Sequence, residues 1–184
     1  MTLRAKAIGA ALLMAFALFA GVSSAKAASA GEINRDVTAT LERLYYQIPG
    51  TRELGARAYG VLVFPTIIKA GWGIGGEYGE GALRVQGRTV GYFNTVSASI
   101  GLQFGAQARS VVMMFMTPEA LEGFRRVDGW KVGVDGSVAI ITVGAGGSID
   151  SEKVSAPVVG FILDPKGLMY NLTLEGTKIS RMQR

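Results

Sequence analysis

The 184-residue chain contains no cysteine and no histidine. Without cysteine there is no disulfide, no thiolate nucleophile and no thioether-linked lipid anchor, so an exported form must rely on its hydrophobic core. Without histidine, Ser-His-Asp and Cys-His catalytic arrangements are excluded, along with nearly all zinc sites. Acidic residues are absent from the first 27 positions, which read instead as a cleavable export signal. Arg4 and Lys6 give the positive start, Ile8 to Val22 an uncharged apolar run, and Ser23 to Ala27 a small-residue cleavage site of Ala-x-Ala type. The run has 15 residues. It would span roughly 22 Å as a helix, short of a hydrocarbon core of about 30 Å. Cleavage is expected after Ala27 or, in a second Ala-Ser-Ala match, after Ala30.

Removal of the signal also removes Arg4, Lys6 and Lys26. It leaves 16 basic against 14 acidic residues, a balance of +2. So small a net charge does not point to nucleic acid. The expected organisation is a signal peptide over 1–27 and one domain over 28–184, long enough to bury a core.

What is present is glycine, 26 residues of it, set among β-type sequence. Before that, Glu32 to Ile48 reads as an amphipathic helix: Ile33, Val37, Leu41, Leu44, Tyr45 and Ile48 recur at steps of three and four. The stripe can pack on the rest of the domain, face a membrane, or divide between the two. Pro49-Gly50 ends the helix, and a second runs from Thr51, as N-cap, to about Tyr59. From Gly60 onward the pattern is β. Val61 to Phe64 is a buried-type run closed by Pro65, resumed over Thr66 to Lys69; Val96 to Gln107 and Ser110 to Met116 are further strands.

Hairpins are expected at Gln86-Gly87, at Asp135-Gly136 and at Asp164-Pro-Lys-Gly167. Thr117 caps a helix that has Pro118 at its first position and runs to about Arg126. The expected fold class is α+β: an antiparallel, twisted or barrel-like glycine-rich sheet with N-terminal amphipathic helices.

Gly71-Trp-Gly-Ile-Gly-Gly76 fits G-x-G-x-x-G, but no helix opens there and no acid follows between Gly91 and Ser97, so the dinucleotide reading fails. Gly144-Ala-Gly-Gly147 lacks the Lys-Ser/Thr of a phosphate loop. Glu77, Glu80, Asp128, Asp135, Asp150 and Glu152 are the available metal-type ligands, none at calcium-loop spacing. No metal, cofactor or nucleophile–base pair is expected, and hence no enzyme. Arg35, Arg43, Arg52, Arg57 and Lys69 are the basic residues of the N-terminal third. They suit either a solvated surface or an anionic bilayer, where each contributes about 1 kcal/mol.

Several motifs in order resemble the SYLF-domain family: Ala58 to Pro65, Lys69 to Gly76, Gly79-Glu-Gly81, Gly101 to Gln107, Val134 to Ala139 and Lys166 to Gly176. The likeness runs from about Ile33 to Ile179. It implies phospholipid binding, commonly of phosphoinositides or other anionic lipids, through the N-terminal helix and nearby basic residues. Actin binding, found in some members, is not carried over, since an exported chain does not meet actin. The resulting expectation is a periplasmic, peripherally membrane-associated, non-enzymatic binder of anionic phospholipid. Arg35, Arg43, Arg52, Arg57, Lys69, Leu44 and Tyr45 would make its contact surface. The alternatives are an envelope protein-interaction scaffold and an integral outer-membrane β-barrel.

Overall fold

The computed structural model describes residues 28–142, 155–163, 174 and 176–184, with the backbone alone at 70–74, 99–106 and 142. The signal sequence, Gly144 to Gly147, Asp150, Glu152 and the turn at Asp164–Gly167 with the strand after it up to position 173 lie outside these residues.

Two strands dominate. β1 (Gly60–Val85) and β2 (Arg88–Phe115) form one antiparallel hairpin of 26 and 28 residues. At about 3.3 Å per residue a straight β1 would be about 85 Å long. A globular chain of this size has a radius of gyration of only about 16 Å, so the strands must curl. Register shifts between Phe64 and Ile67, Trp72 and Ile74, and Leu83 and Arg84 supply the bends. Pro65 sits at the first, where the ladder is interrupted and its missing N–H costs nothing; the strand passes through Pro65 instead of closing there.

The curl brings the two halves of β1 face to face. A side chain at Gly81 would run into the carbonyl of Val63, and one at Gly79 would stand 2.8 Å from the carbonyl of Thr66. Only glycine permits backbone to approach so closely. The Gln86-Gly87 turn forms as expected, with φ of 49° and 76°, both in the left-handed region of the tight hairpin turn.

Among the described residues the remaining strands are β3 (Trp130–Lys131), β4 (Ala139–Thr142), β5 (Val158–Leu163) and β6 (Lys178–Met182). The sheet order is β3-β6-β2-β5-β4, with β1 on β2. The fold class is the expected α+β, antiparallel and curled. One pair departs from it, because β4 runs parallel to β5. That departure overturns the hairpin expected at Asp135-Gly136. The Asp135 carboxylate accepts from the Lys131 N–H at 2.7 Å, and Gly133 N–H donates to the Gly136 carbonyl at 2.9 Å. These bonds close a compact turn with Val134 in solvent, β3 pairs with β6, and β4 is free to join β5.

Among the described residues there are three helices: α1 (Ala30–Gln47), α2 (Thr51–Arg57) and α3 (Pro118–Arg126). Ser29 caps α1 in a capping box with Glu32. Thr51 is not the cap of α2. Gly50 occupies that position with φ of 84°, while buried Thr51 donates its hydroxyl to the Ile48 carbonyl at 2.7 Å. α3 begins as expected, with the Thr117 side chain accepting from the Ala120 N–H.

Each face of the sheet carries a core. Inside the curl, Leu62, Phe64, Leu83, Phe93, Val111, Met113 and Phe115 meet Leu121 and Phe124 of α3 and Trp130. Phe124 is the hub, with ring centroids 5.0 to 5.6 Å from Phe115, Phe93 and Trp130. On the opposite face, α1 lays Ile33, Val37, Leu41, Leu44 and the following Ile48 on Val61, Val63, Ala82, Val112, Met114 and Phe161.

Candidate functional site

The apolar stripe of α1 is consumed by the sheet. Ile33, Val37, Leu41, Leu44 and Ile48 are all buried, with Val37 and Leu44 at 0 % exposure. Burying each is worth about 1.5–3 kcal/mol. Turning the stripe toward a bilayer would forfeit that packing without further gain, so the sheet wins. Leu44 therefore cannot touch lipid in this structure, and the expectation that it does is corrected.

What α1 offers to a ligand is its flank. Tyr45 lies one step off the buried stripe and is half-buried. Arg52, from the first turn of α2, stacks its guanidinium over the Tyr45 ring at 4.8 Å. Gly55, one turn further along α2, makes room for the phenol: a methyl there would lie 2.6 Å from its oxygen. From the sheet, Arg84 reaches α1, donating through Nη2 to Thr38 Oγ1 at 2.6 Å and to the Asn34 carbonyl at 3.0 Å. Its Nε is buried without a hydrogen-bond partner among the described residues. Asn34 is held in turn by Tyr92 and Thr89 of β2.

Between these elements lies an open groove of about 490 Å³, lined by Thr38, Glu42, Tyr45, Arg52, Arg84 and the Gln86-Gly87 turn among others. Burial pushes the Tyr45 phenol above its ordinary pKa, and the positive charges of Arg52 and Arg84 oppose that shift. Two cations thus converge on one aromatic floor. Such a groove favours an anionic group, although Glu42 also lines it and offsets part of the positive charge.

The other expected contact residues are dispersed. Arg35 and Arg57 are exposed. Arg43 projects from the opposite flank of α1 and donates to Ser110 Oγ at 2.7 Å, which in turn donates to the Pro65 carbonyl. Lys69 lies away from the helices, 3.7 Å from Glu77 in the curl of β1. Of the seven, the structure brings only Tyr45 and Arg52 together. Arg84 was not anticipated: no local pattern links it to Arg52, and only the hairpin register carries it to the helix. Tyr46, at 90 % exposure, is the aromatic of α1 that solvent meets.

Among the described residues no three acids are placed to hold a metal ion, and no helix is long and apolar enough to cross a membrane.

Residues 96–184 match the model of the Ysc84 family, described as Las17-binding protein actin regulator, a similarity consistent with the SYLF resemblance of the motifs. No curated protein matches the chain.

Proposed function

We propose that the protein is an exported, non-enzymatic binder of anionic phospholipid, and that the groove between α1, α2 and the β1–β2 turn receives the headgroup. The observation that carries this reading is the convergence of Arg52 and Arg84 on Tyr45 in an open groove. Arginine is suited to phosphate because its fork donates two parallel hydrogen bonds. Tyrosine at a groove mouth suits the bilayer interface, where one end of the ring is wet and the other apolar. Exposed Arg57 and Tyr46 lie on the same two helices and add reversible attraction to the surface. The envelope side of the inner membrane is the compartment implied by the sequence of residues 1–27.

This mechanism differs from the one expected of a greasy helix. Attraction is electrostatic and local, and the apolar stripe serves the fold. An integral barrel is disfavoured by the same packing, since the outer face of β1 and β2 around Val61, Val63, Val112 and Met114 is covered by α1.

Co-sedimentation with vesicles tests the proposal. Binding should rise with anionic lipid content and fall with salt. Two cations at about 1 kcal/mol each predict that Arg52→Gln with Arg84→Gln weakens binding roughly thirty-fold. Since Arg84 also ties β1 to α1, the melting temperature of the double variant is measured alongside, and Arg52→Gln alone gives the clean half of the effect. Equal binding to neutral vesicles would abandon the headgroup reading. A protein partner retained when lipid is not would favour the interaction scaffold, the reading closer to the family's description.

A further inference from the structure

A second charged cluster lies away from the groove, where β1 doubles over. Glu77 is paired in the ladder with Ser97, yet its carboxylate accepts from Arg109 Nη2 at 2.6 Å, twelve residues further along β2. Lys69, whose ladder partner is Gln107, approaches the same carboxylate at 3.7 Å. All four side chains point to the inner face of the curl, at the end of the core that holds Phe64, Ile67 and Val111. Arg109 and Glu77 are 7 % and 8 % exposed, and Lys69 17 %.

The charges do not balance. Among the described residues two cations share one carboxylate, which leaves an excess of positive charge in a largely desolvated place. The next acid along the strand, Glu80, is already held by Arg184 and Tyr78. Burying an uncompensated charge is costly, and a structural latch between the two halves of β1 would need only one cation. The hydrogen bonds do not balance either. Arg109 Nε and Gln107 Oε1 are buried without partners among the described residues, and the Lys69 ammonium, at 3.7 Å, stands beyond hydrogen-bond length of Glu77. A carboxamide can present either its oxygen or its amino group by a half turn. The cluster can therefore direct Lys69 Nζ, Arg109 Nε and the Gln107 amide at one oxyanion.

We propose that Lys69, Gln107 and Arg109, with Glu77 holding the arginine in place, form an anion-binding site at the bend of β1 that takes a phosphate-class oxyanion, free or borne by a single lipid headgroup. Lys69, more exposed than Arg109 and Glu77, is the entry side. Glu77 sets the strength, since it neutralises one of the two positive charges and thereby keeps binding reversible. The site stands on residues different from those of the groove and does not depend on the headgroup reading.

Titration calorimetry and thermal unfolding of the protein at constant ionic strength, with chloride replaced by inorganic phosphate, test it. Saturable binding with a matching rise in melting temperature is expected. Lys69→Met should weaken it roughly tenfold or more, the loss of one charge-assisted contact. Glu77→Gln should tighten it, because the opposing charge is gone; a merely structural ion pair predicts destabilisation with no gain in phosphate affinity. Arg52→Gln should retain the saturable component that Lys69→Met removes, whatever phosphate the groove itself takes up, which separates this site from the groove. A second arm uses dihexanoyl phosphatidate: saturation by it but not by inorganic phosphate, still lost in Lys69→Met, assigns the site to a lipid headgroup. Absence of saturable binding by either probe overturns the proposal, as does a response that Arg52→Gln abolishes and Lys69→Met does not.

Discussion

At the scale of single residues, two glycines of the chain illustrate opposite physics. Gly81 faces the Val63 carbonyl across the doubled β1, and a methyl group there would collide with backbone that cannot move without opening the curl. Gly123 lies within α3 with nothing near the place its methyl would take. Gly81→Ala should therefore destabilise by about 3 kcal/mol or prevent folding. Gly123→Ala should stabilise by up to about 1 kcal/mol through helix propensity alone. Urea unfolding of the two variants checks both, and a tolerated Gly81→Ala would mean that β1 does not close on itself as described. The sequence shows both residues as equivalent letters. Glycine set among β-type residues was visible in the sequence, but which glycine meets which carbonyl depends on contacts between positions 18 residues apart.

The elements themselves divide by how local their determinants are. α3 was readable because its cap, its first-turn proline and its apolar pair all lie within ten residues. The Gln86-Gly87 hairpin was readable for the same reason. The Asp135-Gly136 turn carried an equally strong local signal and still formed no hairpin. There the Asp135 side chain took the Lys131 N–H, and the pairing preferences of β3 and β4 lay with distant strands.

α1 began earlier than its apolar periodicity suggested, at Ala30, because Ser29 and Glu32 cap each other. The Ser-x-x-Glu spacing was visible in the sequence and identifies the start more sharply than the stripe does. Ser29→Ala should cost about 1 kcal/mol, read from thermal or urea unfolding at neutral pH. The box should also depend on pH. Hydrogen bonds from Ser29 hold the Glu32 carboxyl below its ordinary value of 4.5. A lowered folded pKa means that this contribution is present above the unfolded value and is lost as pH falls through the folded one. The difference between the native protein and Ser29→Ala should thus shrink in that acid range.

For the molecule as a whole, the question is where apolar surface goes. α1 has a stripe that suits a bilayer as well as a sheet, and its own residues do not choose between them. The curled hairpin decides, by offering Val61, Val63, Val112 and Met114 as a preformed apolar bed at the distance of one helix. The same packing bears on export. Cleavage after Ala27 would keep Ser29 and its cap, whereas cleavage after Ala30 would remove both. If the chain is exported as proposed, intact mass and N-terminal sequencing of its processed form should find Ala28 as the first residue; a start at Gly31 would contradict that choice.

Composition and local pattern were enough for the class of the chain: a chemistry without thiol or imidazole, helices first, then glycine-rich antiparallel β, with the motifs of a SYLF domain in order. These depend on residue type and short spacing, which the chain carries wherever it goes. The proposed binding surfaces were a different matter. Arg84 joins Arg52 across 32 positions, and Lys69 leaves the helices to face Glu77 and Arg109, because a curled hairpin exchanges neighbours in sequence for neighbours across its interior. Charge acts through distance in space, so the grouping of these cations came into existence only when β1 bent.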